Sequence, residues 1–173
     1  MVEREQVREK EAGVQLTTHY DDSIRRYRKL QEEARTGIKV VKGNKITFQA
    51  GRQGMVKFYA LRQREGLCLK NMAMLVQEIK AHSGQHRHQG GSNIFILKGK
   101  GYTVADGKRL DWREGDLILL PFKKGGVVHQ HFNMSDKPSR WLAMLSHPVS
   151  EMVGGMMEQR TNQPDWKEKL EGG

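Results

Sequence analysis

Short β-rich segments separated by turn residues occupy most of this 173-residue chain. From Ile38 onward, apolar residues stop recurring at helical spacing and gather in short runs bounded by glycine and other turn residues. The pair Asp106-Gly107 stands between two such runs and is the strongest hairpin signal, and Gly43-Asn44 indicates another hairpin. Many short strands with few helices predict an all-β fold, either a sandwich or a small barrel.

The first 35 residues follow a helical pattern instead. Ile24, Tyr27 and Leu30 recur at helical spacing, Asp21 or Asp22 can cap the start, and Gly37 can close the end. This apolar stripe is too narrow for independent stability, so we expect the helix, over about 22–35, to pack on the main domain or on a second subunit. Residues 2–12 are nearly all charged and are expected to be frayed or disordered.

The cysteine content and the lack of long apolar runs limit the compartment. A single cysteine, Cys68, excludes an intramolecular disulfide and a cysteine-based zinc site. The N-terminus lacks the apolar region of a secretory signal, and no run has the length needed to span a bilayer. We therefore expect a cytoplasmic protein with no membrane partner.

The net charge of +10 lies wholly beyond residue 35. The segment 39–80 has nine basic residues against Glu65 and Glu78. Clustered Lys and Arg can bind phosphates, but the chain has no helix-turn-helix pattern, RNP-like aromatic motif or basic helix to present them to nucleic acid. We expect a solvated strand face, or a field that attracts anionic small molecules, and no nucleic-acid partner.

Histidines form two clusters on strand-like sequence. His86 and His88 are two positions apart, as are His129 and His131, so each pair shares one face of a strand. Antiparallel strands can bring the two pairs together in space. Imidazole is a common ligand of iron, nickel, copper and zinc, and three such nitrogens leave coordination positions open. The other interpretation is that these are polar residues satisfied by hydrogen bonds and water.

Both histidine pairs lie in segments that resemble the two sequence motifs of the cupins. The segment "GQHRHQGGSNIFILKGKG" is similar to the first motif, with Asn93 where the family often has a carboxylate ligand. The segment "GDLILLPFKKGGVVHQHFN" is similar to the second, with His129 and Asn133 in the family's His and Asn positions. The resemblance covers roughly residues 70–146, and the sequence is also similar to the gentisate-dioxygenase-like branch of the family.

The cupin resemblance implies the fold and the domain organisation. The fold class is all-β, a double-stranded β-helix or jelly-roll barrel with an N-terminal helical extension. We expect the extension to occupy residues 1–37, the barrel residues 38–148, and a C-terminal tail packing on the barrel residues 149–173.

The resemblance also implies a three-histidine metal site of His86, His88 and His129. An amide is a poor ligand compared with a carboxylate, so Asn93 is expected near the metal but not bound to it. His131 is expected to hydrogen bond within the site or to contact substrate, and His131 and Asn93 are the predicted catalytic residues. Iron(II) is the expected metal, while manganese, nickel and zinc also suit such ligands.

These features together predict a non-heme Fe(II) dioxygenase that acts with O₂ on a small anionic chelating substrate. A hydroxylated aromatic acid or a diketone would compensate the charge of a dicationic metal complex. The chain is expected to form a homodimer. Two alternatives stay open: a non-catalytic small-molecule-binding or regulatory cupin, and a metal-dependent isomerase or lyase.

Overall fold

The structure is a computed structural model that describes residues 18–61 and 63–167. Two helices and eleven strands follow one another along these ranges. The helices are His19–Thr36 (α1) and His147–Met152 (α2). The strands are Gln49–Gly51 (β1), Gly54–Ala60 (β2), Met72–Ile79 (β3), His86–His88 (β4), Ser92–Lys98 (β5), Lys100–Ala105 (β6), Lys108–Arg113 (β7), Leu117–Leu120 (β8), Val127–Asn133 (β9), Ser139–Ser146 (β10) and Met157–Gln159 (β11).

These strands form two antiparallel sheets. One has six strands in the order β1-β2-β3-β10-β5-β8, and the other has five in the order β11-β4-β9-β6-β7. The chain crosses between the sheets at the connections from β3 to β4, β4 to β5, β5 to β6, β7 to β8, β8 to β9, β9 to β10 and β10 to β11. This topology confirms the all-β prediction and the jelly-roll barrel with an N-terminal helix.

The apolar core lies between the two sheets. Along β5, Ser92, Ile94 and Ile96 are buried, while Phe95 on the other face is exposed. The same alternation along the other strands produces one cluster, in which Trp112 and Trp141 are the largest members. The barrel interior is therefore built from alternate strand residues, and it is this face that carries the histidines.

The hairpin predicted at Asp106-Gly107 is confirmed, since these residues join the antiparallel strands β6 and β7. Both have positive φ, 48° and 80°, as a two-residue hairpin turn of this type requires. The hairpin predicted at Gly43-Asn44 is wrong, because a single 3₁₀ turn occupies Gly43–Lys45. Its flanks pair elsewhere: Ile38 bridges to Leu67, outside the segment. The first hairpin instead joins β1 to β2 across residues 52–53.

Helix α1 begins earlier than the sequence indicated. Thr18, and not an aspartate, is the N-cap, and it forms a reciprocal capping box with Asp21. No residue of α1 is buried, and Tyr20, Tyr27 and Leu30 are 72%, 68% and 47% exposed. Packing of this stripe on a second subunit stays a prediction. Residues 2–12, expected to be disordered, lie outside the described residues.

The segments after β10 return to the barrel. Helix α2 follows β10 directly, and β11 pairs antiparallel with β4 at the edge of the five-stranded sheet. The sheet edge beside the first histidine pair is thereby covered by the C-terminal segment. No helix within the described ranges is long and apolar enough to cross a membrane.

Candidate metal centre

Strands β4 and β9 bring three histidines together on the inner face of the five-stranded sheet. The two strands are neighbours, and His86 lies directly opposite His129 in the register. The ring centroids are 5.2 Å apart for His86 and His88, 4.1 Å for His86 and His129, and 4.7 Å for His88 and His129. One nitrogen from each ring lies within 4.8 Å of the others, so the three can hold one metal ion.

The hydrogen bonds of these three rings orient their second nitrogens. The Nδ1 atom of His86 lies 3.4 Å from the Gly84 carbonyl oxygen, that of His88 2.6 Å from the carbonyl of the next residue, and that of His129 3.3 Å from the Val127 carbonyl. A carbonyl oxygen only accepts, so each Nδ1 carries the proton and donates it. Each neutral ring then has an unprotonated Nε2, which is the form that binds a metal.

Burial keeps the three rings neutral. It is the main reason why the pKa of His86 is lowered to about 4, and the neighbouring His88 contributes to this. Burial also lowers the pKa of His88. The pKa of His129 falls below the usual range because of burial first and then the three neighbouring histidines. The centre is therefore a set of uncharged donors at neutral pH.

His131 belongs to the same face of β9 but has a different hydrogen-bond partner. Its Nδ1 lies 2.7 Å from the Thr103 hydroxyl, which also accepts a 3.0 Å hydrogen bond from the Trp112 indole N–H. Thr103 is fully buried, and His131 is the one acceptor recorded for its hydroxyl proton among the described residues. The hydroxyl therefore donates to Nδ1, and the proton of the neutral His131 ring is on Nε2.

Packing and burial fix His131 beside the triad. Its ring centroid is 5.4 Å from that of His129 and 4.7 Å from that of Trp141. Burial, followed by the influence of His86 and His88, lowers the pKa of His131 to about 3. His131 thus presents a fixed N–H donor where the other three histidines present lone pairs.

A cavity of about 250 Å³ lies between the sheets and is lined by all four histidines. Its opposite wall comes from the six-stranded sheet, including Leu75, Ile94 and Trp141. Two larger surface grooves contain none of the four. The enclosed cavity is consequently the place where a small ligand can contact the triad.

Comparison with known proteins agrees with this geometry. Residues 74–145 match the family model described as the cupin domain. The chain contains a cupin domain. Over 75 residues it is 39% identical to gentisate 1,2-dioxygenase from a Streptomyces species, covering 42% of this chain and 20% of that protein. Over 71 residues it is 34% identical to 5-aminosalicylate 1,2-dioxygenase from a Comamonas species, covering 39% and 18%. The chain spans about one fifth of the length of the curated relatives it matches.

Solved structures share the cupin fold over a larger part of the chain. A variant of salicylate 1,2-dioxygenase from Pseudoaminobacter salicylatoxidans, in complex with gentisate, has a TM-score of 0.50 at 23% identity, covering 86% of this chain and 39% of that chain. The polyketide cyclase RemF from Streptomyces resistomycificus has a TM-score of 0.55 at 14% identity, covering 74% and 89%. At these identities the likeness concerns the fold alone.

The cupin barrel does not bring Asn93 into the cavity. Strand β5 alternates, and its cavity-lining residues are Ser92 and Ile94, on the face opposite to that of Asn93. The structure thus brings His86, His88, His129 and His131 together around the cavity. On β5 it is the side chain of Ser92 that lines this cavity. The spacing of the motif alone does not decide which of two neighbouring residues, Ser92 or Asn93, faces the cavity.

The Gly90-Gly91 pair beside the first histidine motif acts as a turn. A Cβ atom at Gly90 would lie 1.7 Å from the Pro121 carbonyl oxygen, and one at Gly91 2.0 Å from the Phe122 ring. Gly91 also has a φ of +79°. These glycines allow the connection between β4 and β5 to pass close to the loop after β8.

Three further cavity or partner residues escaped the sequence interpretation. Ser92 follows from strand alternation once the register of β5 is known. Thr103 lies on β6 and His147 begins α2, both outside the two motifs, and the packing of the sheets places them at the site. For Thr103, its position in the predicted hairpin strand β6 was a usable signal, because Gly101, Thr103 and Ala105 share its inner face.

Proposed function

We propose that this cupin is a metal-dependent enzyme, a non-heme Fe(II) dioxygenase acting on a small anionic chelating substrate. The observation that carries the proposal is the triad of His86, His88 and His129, which offers one nitrogen from each ring within 4.8 Å of the others on the wall of the cavity. Without a metal, three lone pairs would face one another in a region where no donor to them is recorded among the described residues. A divalent cation satisfies all three.

The donor set fits iron(II), and manganese, nickel and zinc share the same ligand preference. Three neutral imidazoles on one side of an ion leave its other positions open and leave its charge uncompensated. When bound, the metal would act as a Lewis acid that can hold a chelating substrate and O₂ together. The assignment of iron rests on the resemblance to the gentisate-dioxygenase-like branch.

The chain's own residues would bind, orient and shield the substrate. The Nε2–H of His131 is a donor held by Thr103, and it can hydrogen bond to an oxygen of a substrate lying in the cavity. The apolar wall that includes Ile94 and Trp141 would exclude water from the reacting atoms. Asn93, facing away from the cavity, would support the strand and not touch the substrate.

The names of the matched relatives support dioxygenase chemistry on aromatic acids. They are dioxygenases of gentisate and 5-aminosalicylate. The match to the cupin domain, over residues 74–145, includes both histidine pairs. We also propose a homodimer, supported by the exposed apolar stripe of α1, and a reducing cytoplasmic location, supported by the single Cys68.

Anaerobic reconstitution tests the proposed function. Protein freed of metal with a chelator is incubated with Fe(II), desalted and analysed for metal, and O₂ uptake is then measured with gentisate, salicylate and 5-aminosalicylate. We expect one iron per chain and O₂ consumption with at least one of these acids. Stoichiometric metal without O₂ uptake would favour the binding-module or isomerase alternatives, and no retained metal would contradict the enzyme.

A further inference from the structure

Strand β4 is short for an element that carries most of a metal centre. It has three residues, and two of them, His86 and His88, belong to the triad. The third ligand, His129, lies within the seven-residue strand β9, which pairs with β4 on one side and with β6 on the other. A strand of three residues forms few hydrogen bonds, so the positions of two ligands depend on what holds β4 on the side away from β9.

That side of β4 is covered by a segment that we call the C-terminal strap, residues 157–166. Its first three residues are β11, and the register places Met157 opposite His88 and Gln159 opposite His86. Without β11, β4 would be an edge strand of the five-stranded sheet. Each ligand of β4 therefore has a direct neighbour on the strap.

The residues that follow β11 hold the start of β4. The backbone N–H groups of Arg160 and Thr161 donate to the carbonyl oxygen of Gln85, at 2.9 and 3.1 Å. The backbone N–H of Gln85 in turn donates to Oγ1 of Thr161 at 2.9 Å. Because Gln85 comes directly before His86, these hydrogen bonds fix the backbone at the first ligand.

An ion pair adds a charged contact between the two strands. Arg87 lies between the two ligands, with its side chain on the opposite face of β4. Its Nη2 atom is 2.7 Å from a carboxylate oxygen of Glu158 on β11, and the other oxygen of Glu158 is 3.3 Å from Nε of Arg160. Glu158 is the one ion-pair partner recorded for Arg87 within the described part of the chain. Loss of this carboxylate would therefore leave the guanidinium without a counter-charge beside both ligands.

The far end of the strap is attached to the other sheet. The backbone N–H of Gln163 donates to the carbonyl oxygen of Arg52, between β1 and β2, at 2.7 Å, and the Arg52 guanidinium lies 5.3 Å from the centre of the Trp166 ring. Asp165 forms an exposed ion pair with Lys80 at 3.1 Å. None of these contacts involves β4, so this end provides a matched control for the end beside the ligands.

We propose that the C-terminal strap is a positioning element of the metal centre, and that Glu158 is its main positioning residue. The docked strap holds β4 where His86 and His88 can bind one metal ion together with His129. This inference rests on the proposed function, because it requires a metal in the triad, but it does not depend on which metal or which reaction. Coupling between two binding events is reciprocal, so a bound metal must also stabilise the docked strap.

Cobalt(II) titration of the metal-free full chain tests the effect of the strap on the metal. Binding is followed through the cobalt absorption spectrum. Glu158→Gln keeps the shape of the side chain but removes its charge, so the cobalt Kd should rise about 10- to 100-fold. Arg87→Gln should have a similar effect, and the double variant should bind no more weakly than the weaker single variant. The control Asp165→Asn should stay within about twofold of the wild type, because its ion pair is exposed.

Amide hydrogen exchange of the unaltered protein tests the reciprocal effect. Saturating cobalt(II) should slow the exchange of the strap amides in residues 157–161 by about tenfold. His129→Ala removes a ligand from β9 and leaves the contacts of the strap in place. At the same cobalt concentration this variant should show no such protection.

The outcomes separate this inference from the proposed function. Wild-type protein that binds no cobalt would overturn the metal centre and this inference with it. Bound cobalt with the same Kd in wild type, Glu158→Gln and Arg87→Gln would overturn the positioning role alone, as would strap exchange that cobalt leaves unchanged. An equal loss of affinity in Asp165→Asn would overturn the assignment to Glu158. The exchange measurement uses unaltered protein and therefore stays decisive if a variant fails to fold.

Discussion

At the scale of single residues, the hydrogen-bond partner of each imidazole Nδ1 decides what its Nε2 can do. His86, His88 and His129 face backbone carbonyls, which accept, and so their Nε2 atoms are lone-pair donors. His131 faces a hydroxyl that is itself held by Trp112, and so its Nε2 carries a proton. Four neighbouring histidines thereby acquire two different chemical roles.

This division predicts unequal effects of alanine substitutions on metal content. His129→Ala removes a ligand that the other two histidines cannot replace, so the purified protein should retain less than about a tenth of the wild-type metal. His131→Ala and Asn93→Ala should keep most of the metal, and His131→Ala should slow turnover. Metal analysis after desalting measures this, with the exposed His19→Ala as the matched control. Equal loss in His131→Ala and His129→Ala would contradict the division.

Thr103 is predicted to act as a positioning residue through His131. Thr103→Val keeps the shape of the side chain but removes the donor to Nδ1, so His131 can turn its unprotonated nitrogen to the cavity. We expect the metal to stay bound and kcat/KM to fall about 10- to 100-fold. The free energy of unfolding should fall by about 1–3 kcal/mol, because Trp112 also loses its hydrogen-bond acceptor. Thr103→Ser should restore most activity; an equally low activity in both variants would point to packing instead.

At the scale of elements, strand alternation explains why some of the site could be predicted from sequence. The pairs at 86/88 and 129/131 share a face in any extended strand, so their convergence needed only a pairing of β4 with β9. The prediction that Asn93 lies near the metal was wrong. Neighbouring residues of β5 point to opposite faces of the sheet, and the spacing of the motif does not decide which of them faces the cavity. His147 depends on where β10 ends, which is decided by tertiary contacts.

Helix α1 combines an ion pair to the rest of the chain with an exposed apolar stripe. Its Glu33 forms an ion pair with Lys70 at 2.8 Å, and an exposed stripe of the helix includes Tyr27 and Leu30. Deleting residues 1–36 should lower the melting temperature or reduce the oligomer mass, because the surface on which this stripe packs would lose its apolar partner. Calorimetry and light scattering check both, and a molecule unchanged by either measure would show that α1 stabilises neither the fold nor an assembly.

At the scale of the whole molecule, the buried histidines link stability to pH. In the metal-free folded state burial holds His86 neutral down to a pKa of about 4, whereas an unfolded histidine titrates near 6.5. Between these values the unfolded chain binds more protons than the folded one, so the free energy of unfolding rises with pH. The stabilising contribution is complete above pH 6.5 and is lost as the pH falls towards 4.

The metal-free protein should therefore lose stability steeply on acidification. His86 alone predicts a loss of roughly 3 kcal/mol between pH 6.5 and 4, and the other buried histidines, whose pKa values are also lowered, make the loss larger. Urea unfolding in a chelator at pH 4.5, 5.5, 6.5 and 7.5 measures it. His86→Leu should have a shallower slope by up to about 1.4 kcal/mol per pH unit, because one proton is no longer taken up on unfolding. Equal slopes in wild type and His86→Leu would mean that His86 is not held neutral by the barrel.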